Sequence, residues 1–278
     1  MAGRLFRRRA VLVFLLLAVI AAALYFLSVD TTRSGNHTAP PKGQPPPGKE
    51  TEPPDNETRL PEETAGEKKD PYDYSKPVPA ADVPLTEDYF ADAVFIGDSR
   101  TRGLQTLSGP ASAAYYTATG LMVDTLFTKE IIDSEDGGKI AVMDALRQTV
   151  FGKVYIMLGI NELGWVYSSL FIDAYRDVLA AIREIEPAAL IYIQSIIPVT
   201  AEKTKNDPIY NNENIREYNE LLQQLAEEEK VYFLDVAGHL AGPDGCLPAD
   251  ASTDGIHLKK KYCDLWRDYL FTHYIPQQ

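Results

Sequence analysis

From residue 85 onward the sequence predicts an α/β domain, a parallel β-sheet covered by helices on both faces. Three observations predict it. Five short runs rich in Val, Ile, Leu and Tyr, the candidate strands of a five-stranded sheet, occupy 93–96, 113–116, 153–158, 190–196 and 231–236. Helical patterns follow or separate them at 121–132, 140–150, 169–186, 213–229 and 259–274. Such alternation of apolar strands with helices is the signature of a parallel sheet buried on both sides.

The chain before this domain divides in two. Residues 10–29 are apolar without a single charge, and 20 residues of helix cover about 30 Å, the hydrocarbon thickness of a bilayer. Arg4, Arg7, Arg8 and Arg9 precede the run. They predict a transmembrane anchor with a cytoplasmic tail at 1–9 and the rest of the chain exported. A cleaved signal peptide is the competing reading, with Ala21-Ala22-Ala23 as the small residues. The apolar run continues past them through Leu24-Tyr25-Phe26-Leu27, longer than a signal core. Twelve of the nineteen prolines fall between Pro40 and Pro84. With few large aliphatic residues, 30–84 reads as a disordered stalk. The sequons at Asn36 and Asn56 carry little weight, since such triplets are common by chance.

Charge excludes some partners. The chain carries −13, and the four amino-terminal arginines leave −17 for everything after them. A surface that acidic does not attract nucleic acid or anionic lipid. Two cysteines and four histidines support neither a disulfide scaffold nor a structural zinc site. Cys246 and Cys263 bracket the segment around residue 255, where they either pair as a clamp or stay as two buried thiols.

Within the domain, the helix before Pro187 carries Leu170, Ala174, Val178, Ala181, Ile182 and Ile185 at helical spacing. Ligands of open parallel sheets bind beyond the carboxyl ends of the strands, which directs attention to Gly97, Gly120, Gly159 and Ser195 onward. The first end reads Gly97-Asp98-Ser99-Arg100. A serine opening a helix presents its hydroxyl and its backbone N–H to the same ligand, although a cap at Asp98 or Ser99 would look the same. The elbow Gly-x-Ser-x-Gly is not matched, because position 101 is Thr. Asp254-Gly255-Ile256-His257 places a carboxylate and an imidazole on one side of a turn, as triad chemistry needs. Ala118-Thr119-Gly120 and Gly159-Ile160-Asn161-Glu162 supply the glycine N–H and side-chain amide that an oxyanion hole uses.

In chain order these four segments resemble the blocks of the SGNH (GDSL-like) hydrolase family, over about residues 90–274, and Tyr262 and Trp266 resemble its closing helix. The resemblance implies a three-layer α/β/α, flavodoxin-like domain that cleaves or transfers esters. It implies Ser99 as nucleophile, His257 as base and Asp254 as its orienting carboxylate. The N–H groups of Ser99 and Gly120, with the Asn161 amide, would hold the oxyanion. Arg100 and Glu162 depart from the family's usual Leu and Asp, which bears on substrate rather than on chemistry. Arg100 and Trp165 are the candidate substrate-binding residues. Trp165 and Tyr167 either wall a sugar cleft or join the core. His239 reads as structural, His273 as a helix-end cation and Lys259–Lys261 as a solvated helix face.

The expected function is an extracytoplasmic, membrane-tethered serine esterase that removes small acyl groups, O-acetyl above all, from a cell-wall or surface glycan. No cofactor or metal is needed for that chemistry. An O-acetyltransferase with the same triad, and a catalytically idle glycan-binding module, are the alternatives. The single anchor, with no multi-span acyl-donor module, favours the hydrolase.

Overall fold

The computed structural model describes residues 72–276. The tail expected at 1–9, the anchor expected at 10–29 and most of the stalk expected at 30–84 lie outside the described residues. Among the described residues no helix is long and apolar enough to cross a membrane.

Among the described residues seven strands form: β1 (Ala93–Gly97), β2 (Ala114–Thr117), β3 (Glu130–Asp133), β4 (Lys139–Ala141), β5 (Lys153–Met157), β6 (Leu190–Gln194) and β7 (Tyr232–Leu234). Five of them make one parallel sheet in the order β2-β1-β5-β6-β7. Counting the strands of that sheet alone, the order is 2-1-3-4-5, the flavodoxin-like winding. The chain reverses its direction of travel across the sheet between β1 and β5, and the crevice at such a point is where open α/β sheets bind ligands.

The helices are α1 (Ser99–Leu107), α2 (Val142–Arg147), α3 (Ser168–Ile185), α4 (Ala201–Asn206), α5 (Asn212–Glu228), α6 (Val236–Leu240) and α7 (Lys260–Thr272). The strand side chains alternate between two cores. Val94, Ile96, Val154, Ile156, Ile191, Ile193 and Phe233 meet α2, α3 and α5 on one face. Phe95, Tyr155, Tyr192 and Leu234 meet α1, α6 and α7 on the other. The second face carries a ladder of rings, one per strand and in register. Tyr115, Phe95, Tyr155 and Tyr192 stack with centroids 5.0, 4.6 and 4.6 Å apart. Each such offset pair contributes about 0.5–1.5 kcal/mol beyond the area it buries. A rigid sheet with aliphatic side chains on one face and rings on the other sets the platform at whose upper edge the site stands.

Three expectations need correction. No helix spans 121–132. A short 3₁₀ turn at Val123–Phe127 is followed by an antiparallel hairpin of β3 and β4. The hairpin is closed by Ser134-Glu135-Asp136-Gly137-Gly138, with Gly137 at φ +85°, and the Asp-Gly pair is a hairpin signal that outweighs the apolar spacing before it. The helix expected at 140–150 is shortened to α2 because Ile140 belongs to β4. The domain also begins before residue 85, so the stalk read as 30–84 ends earlier. Val78 is buried and its N–H donates to Phe233 O at 2.8 Å. Tyr72 and Tyr74 set their rings 5.1 and 5.4 Å from that of Tyr232. Proline richness described this segment's backbone, but its tyrosines and Val78 supply enough apolar surface to fasten it to the edge strand β7.

Candidate active site

β1 delivers the first piece. Gly97 ends the strand where the chain runs so close to α1 and β5 that a Cβ would lie 2.0 Å from Thr101 Oγ1 and 2.8 Å from Met157 O. Asp98, fully buried, caps α1 by accepting the Arg100 N–H at 2.8 Å. Ser99 is therefore the first helical residue. Its N–H has no intrahelical acceptor, and its hydroxyl stands at the positive end of the helix.

The loop before α7 delivers the second. At Gly255 the backbone takes φ +85°, and a Cβ there would meet Thr200 Oγ1 at 2.9 Å and Lys203 Cβ at 2.8 Å. Gly255 O accepts from Thr200 N at 3.0 Å, which fastens the turn to the segment before α4. The turn brings Asp254 and His257 together: His257 Nδ1 lies 2.6 Å from Asp254 Oδ2. The other carboxylate oxygen, Oδ1, accepts from Ile256 N, His257 N and Ser252 Oγ at 2.9, 2.9 and 3.0 Å. Burial alone would raise the Asp254 carboxyl, but the hydrogen bonds from His257, Ile256 and Ser252 together outweigh it and hold the group well below the usual carboxylate range. An ionised carboxylate only accepts, so Nδ1 donates and Nε2 is left as an acceptor. Ser99 Oγ lies 2.8 Å from that Nε2. A hydroxyl donating to an imidazole that a carboxylate orients is the arrangement that turns serine into a nucleophile.

The loops after β2 and β5 supply the third piece. Ala118 N donates to Gly97 O at 3.3 Å, so the turn carrying Gly120 (φ +67°) is tied to the end of β1. Asn161 Nδ2 donates to Leu121 O at 3.0 Å. An amide nitrogen has two hydrogens, so the second remains for a ligand. Ser99, Gly120, Asn161, Asp254 and His257 are thus all set on the strand ends and loops of one edge of the sheet.

Two sequence expectations part company here. Arg100 is not a substrate-binding residue: it is 2% exposed and its Nη1 donates to Ile197 O at 2.6 Å. One residue along a helix turns the side chain by about 100°, so while Ser99 faces the site Arg100 points inward. Trp165 packs half-buried against the aliphatic core, while Val166, Tyr167 and Leu170 stand exposed beside it. Cys246 and Cys263 are both free, the second buried. His239 is exposed with its ring 5.0 Å from that of Tyr269. Lys260 and Lys261 pair on the surface with Asp264 and Asp250. Sequence reasoning missed the interior beneath the site, where Asp98, Arg100 and Glu162 are all buried. No local signal marks them, since Asp98 lies between Gly97 and Ser99, Arg100 between Ser99 and Thr101, and Glu162 after Asn161.

With the geometry in place, the match of residues 95–261 to the GDSL-like Lipase/Acylhydrolase family is decisive, since it spans more than half of the chain and every block of the site. The chain belongs to the GDSL-like lipase/acylhydrolase family. It is an acylhydrolase acting on ester bonds. No curated protein matches it. A protein from Streptococcus pneumonia assigned as a platelet activating factor is 21% identical, covering 66% of this chain and 88% of its own, with a TM-score of 0.51. A GDSL-like lipase from Bacteroides thetaiotaomicron is 14% identical, covering 67% and 89%, with a TM-score of 0.50. A carbohydrate esterase family 3 protein from Talaromyces cellulolyticus is 15% identical, covering 64% and 93%, with a TM-score of 0.45. The first two likenesses establish the shared fold.

Proposed function

We propose that this GDSL-like acylhydrolase is a serine esterase that removes small acyl groups, O-acetyl above all, from a glycan outside the cytoplasmic membrane. The observation that carries the chemistry is the continuous line Ser99 Oγ to His257 Nε2 at 2.8 Å and His257 Nδ1 to Asp254 Oδ2 at 2.6 Å. Ser99 attacks the acyl carbon as His257 takes its proton. The Asp254 carboxylate steadies the imidazolium so formed. Ser99 N–H, Gly120 N–H and the free Asn161 N–H receive the oxyanion. His257 then returns its proton to the departing sugar oxygen, and water repeats the sequence to release the acid.

A glycan suits the surroundings of the triad. A cavity of about 440 Å³ opens alongside Asp254, and Glu202, Asn206, Asp244, Ser252 and Thr253 line it. Planar carboxylates and amides accept from and donate to neighbouring hydroxyls, which is how proteins grip sugars. If sugar units flanking the ester lie there, Asn206→Ala and Glu202→Ala each raise KM for an O-acetylated polysaccharide about tenfold, the loss of roughly one hydrogen bond of 1–1.5 kcal/mol. KM for p-nitrophenyl acetate, which has no flanking sugar to lie there, stays as in the wild type. Equal changes on both substrates would remove the cavity from substrate binding.

The tethering rests on sequence. The uncharged run at 10–29, with four arginines in the nine residues before it and Arg33 the first basic residue after it, supports an anchor that places the domain outside. Full-length protein is expected to sediment with membranes, and external protease to release a fragment that starts before Tyr72. Mature protein beginning between Ala22 and Leu27 would instead show removal by a signal peptidase.

A further inference from the structure

Beneath the oxyanion loops lies a carboxyl group for which the triad has no use. Glu162 follows Asn161 directly and is fully buried. Its Oε1 accepts from Val123 N at 2.7 Å, while the neighbouring Asn161 Nδ2 donates to Leu121 O at 3.0 Å. Two consecutive side chains of one loop thus grip alternate residues of the other. The rest of Glu162 is held from below: Tyr218 Oη and Trp165 N each donate to its carbonyl at 2.8 Å. Oε2 is buried without a hydrogen-bond partner, and so is Asp98 Oδ2 on the cap of the nucleophile's helix.

We propose that Glu162 is a positioning residue of the ester-cleaving site, clamping the loop that carries Gly120 to the loop that carries Asn161 and so fixing the spacing of two oxyanion donors. The inference rests on the serine-esterase reading and adds to it the group that sets its geometry. Without the clamp, the loop that carries Gly120 keeps the tie of Ala118 to Gly97, its own turn bond from Leu121 N to Ala118 O and the bond from Asn161 to Leu121, but loses its second tie to the Asn161 loop.

The charge state of the clamp follows from its setting. Burial is the largest influence on Glu162, and the Asp98 and Asp124 carboxylates add to it against the pull of the Val123 N–H, so the carboxyl is pushed up to about 8. From α3 it meets the buried Tyr175 hydroxyl, and from α5 that of Tyr218. On α1 the buried Arg100 guanidinium interacts with the Asp98 carboxylate and donates through Nη1 to Ile197 O. At neutral pH Glu162 is therefore the uncharged acid. Above pH 8 it ionises in an apolar setting beside Asp98, and the charged form favours loop arrangements that let water reach it. The sign follows: the folded state keeps this proton after an unfolded chain has lost it, so stability falls as pH rises from the ordinary carboxyl value of 4.5 towards 8.

The test measures kcat and KM for p-nitrophenyl acetate between pH 5.5 and 9.5, together with melting temperature, for wild type, Glu162→Gln, Glu162→Ala and Ser99→Ala. Gln keeps an acceptor for Val123 but cannot ionise. Glu162→Ala is expected to lower kcat at least tenfold with KM changed by less than about twofold, because the donors it displaces act in the transition state. Glu162→Gln is expected to recover most of that loss at pH 6.5 and to lack the fall in kcat that the wild type shows near pH 8. Its melting temperature should also gain on the wild type's as pH rises from 5 to 8. If Glu162→Ala does not fold, the paired pH profiles of Gln and wild type still decide. Wild-type kcat per folded molecule in Glu162→Ala, or an alkaline fall near pH 8 that persists in Glu162→Gln, would overturn the clamp while an inactive Ser99→Ala left the esterase reading standing. Full activity in Ser99→Ala would remove that reading itself.

Discussion

Ser99→Ala should fold with a melting temperature close to that of the wild type and lose on the order of 10³ or more in kcat on small esters. The expectation has two parts because Ser99 has two relations to the structure. Its backbone opens α1, and the helix cap belongs to Asp98, so the substitution leaves the helix start intact. Alanine is also a good helix former. The Ser99 side chain makes one hydrogen bond, to His257 Nε2 at 2.8 Å, and everything lost with the hydroxyl is chemistry. The residual rate should be that of an oxyanion site without a nucleophile. Asp254→Asn is expected to approach the same loss by another route, since an amide permits the wrong imidazole tautomer and ends the acceptance of three hydrogen bonds by a charged oxygen.

Asn161→Ala should lower kcat by about 10²- to 10³-fold, or roughly 2.7–4 kcal/mol, with KM little changed. The amide's free N–H meets an oxygen that becomes negative only as the tetrahedral intermediate forms, so its loss falls on the transition state. The other N–H holds Leu121 O at 3.0 Å, and a modest fall in melting temperature is expected alongside, from a bond worth about 1 kcal/mol. The two effects separate. A lowered melting temperature with unchanged kcat per folded molecule would make Asn161 a loop residue and nothing more.

Much of this was legible in the chain. Strands buried on both faces are dominated by apolar residues, so β1, β5 and β6 announce themselves by composition, although β5 opens on the buried Lys153 and β6 closes on the buried Gln194. The helices α3, α5 and α7 are long enough for periodicity to define them within a residue or two. The serine, the aspartate–histidine pair and the asparagine could be found because each follows a strand end or a glycine turn, where the fold exposes polar side chains. What was not legible depends on direction and on distant neighbours. Nothing local says that Arg100 turns inward to Ile197 while Ser99 turns outward, since both follow the same strand. The hairpin of β3 and β4 was masked by apolar residues that happened to fall at helical spacing before Asp136-Gly137. Residues 72–84 looked like linker because average composition hides three well-placed anchors. Glu162 was visible as a departure from a pattern, but its burial against Val123 comes from a loop about 40 residues earlier.

The central claim is that Ser99 carries the acyl group from substrate to water. Mass spectrometry of the acid-quenched enzyme within the first turnover of p-nitrophenyl acetate tests it most directly. The account predicts one acetyl group on the peptide containing Ser99, absent from Ser99→Ala and lost on further incubation at a rate matching turnover. An acetyl group on another residue at that rate, or undiminished turnover by an enzyme that never becomes acetylated at Ser99, would contradict it.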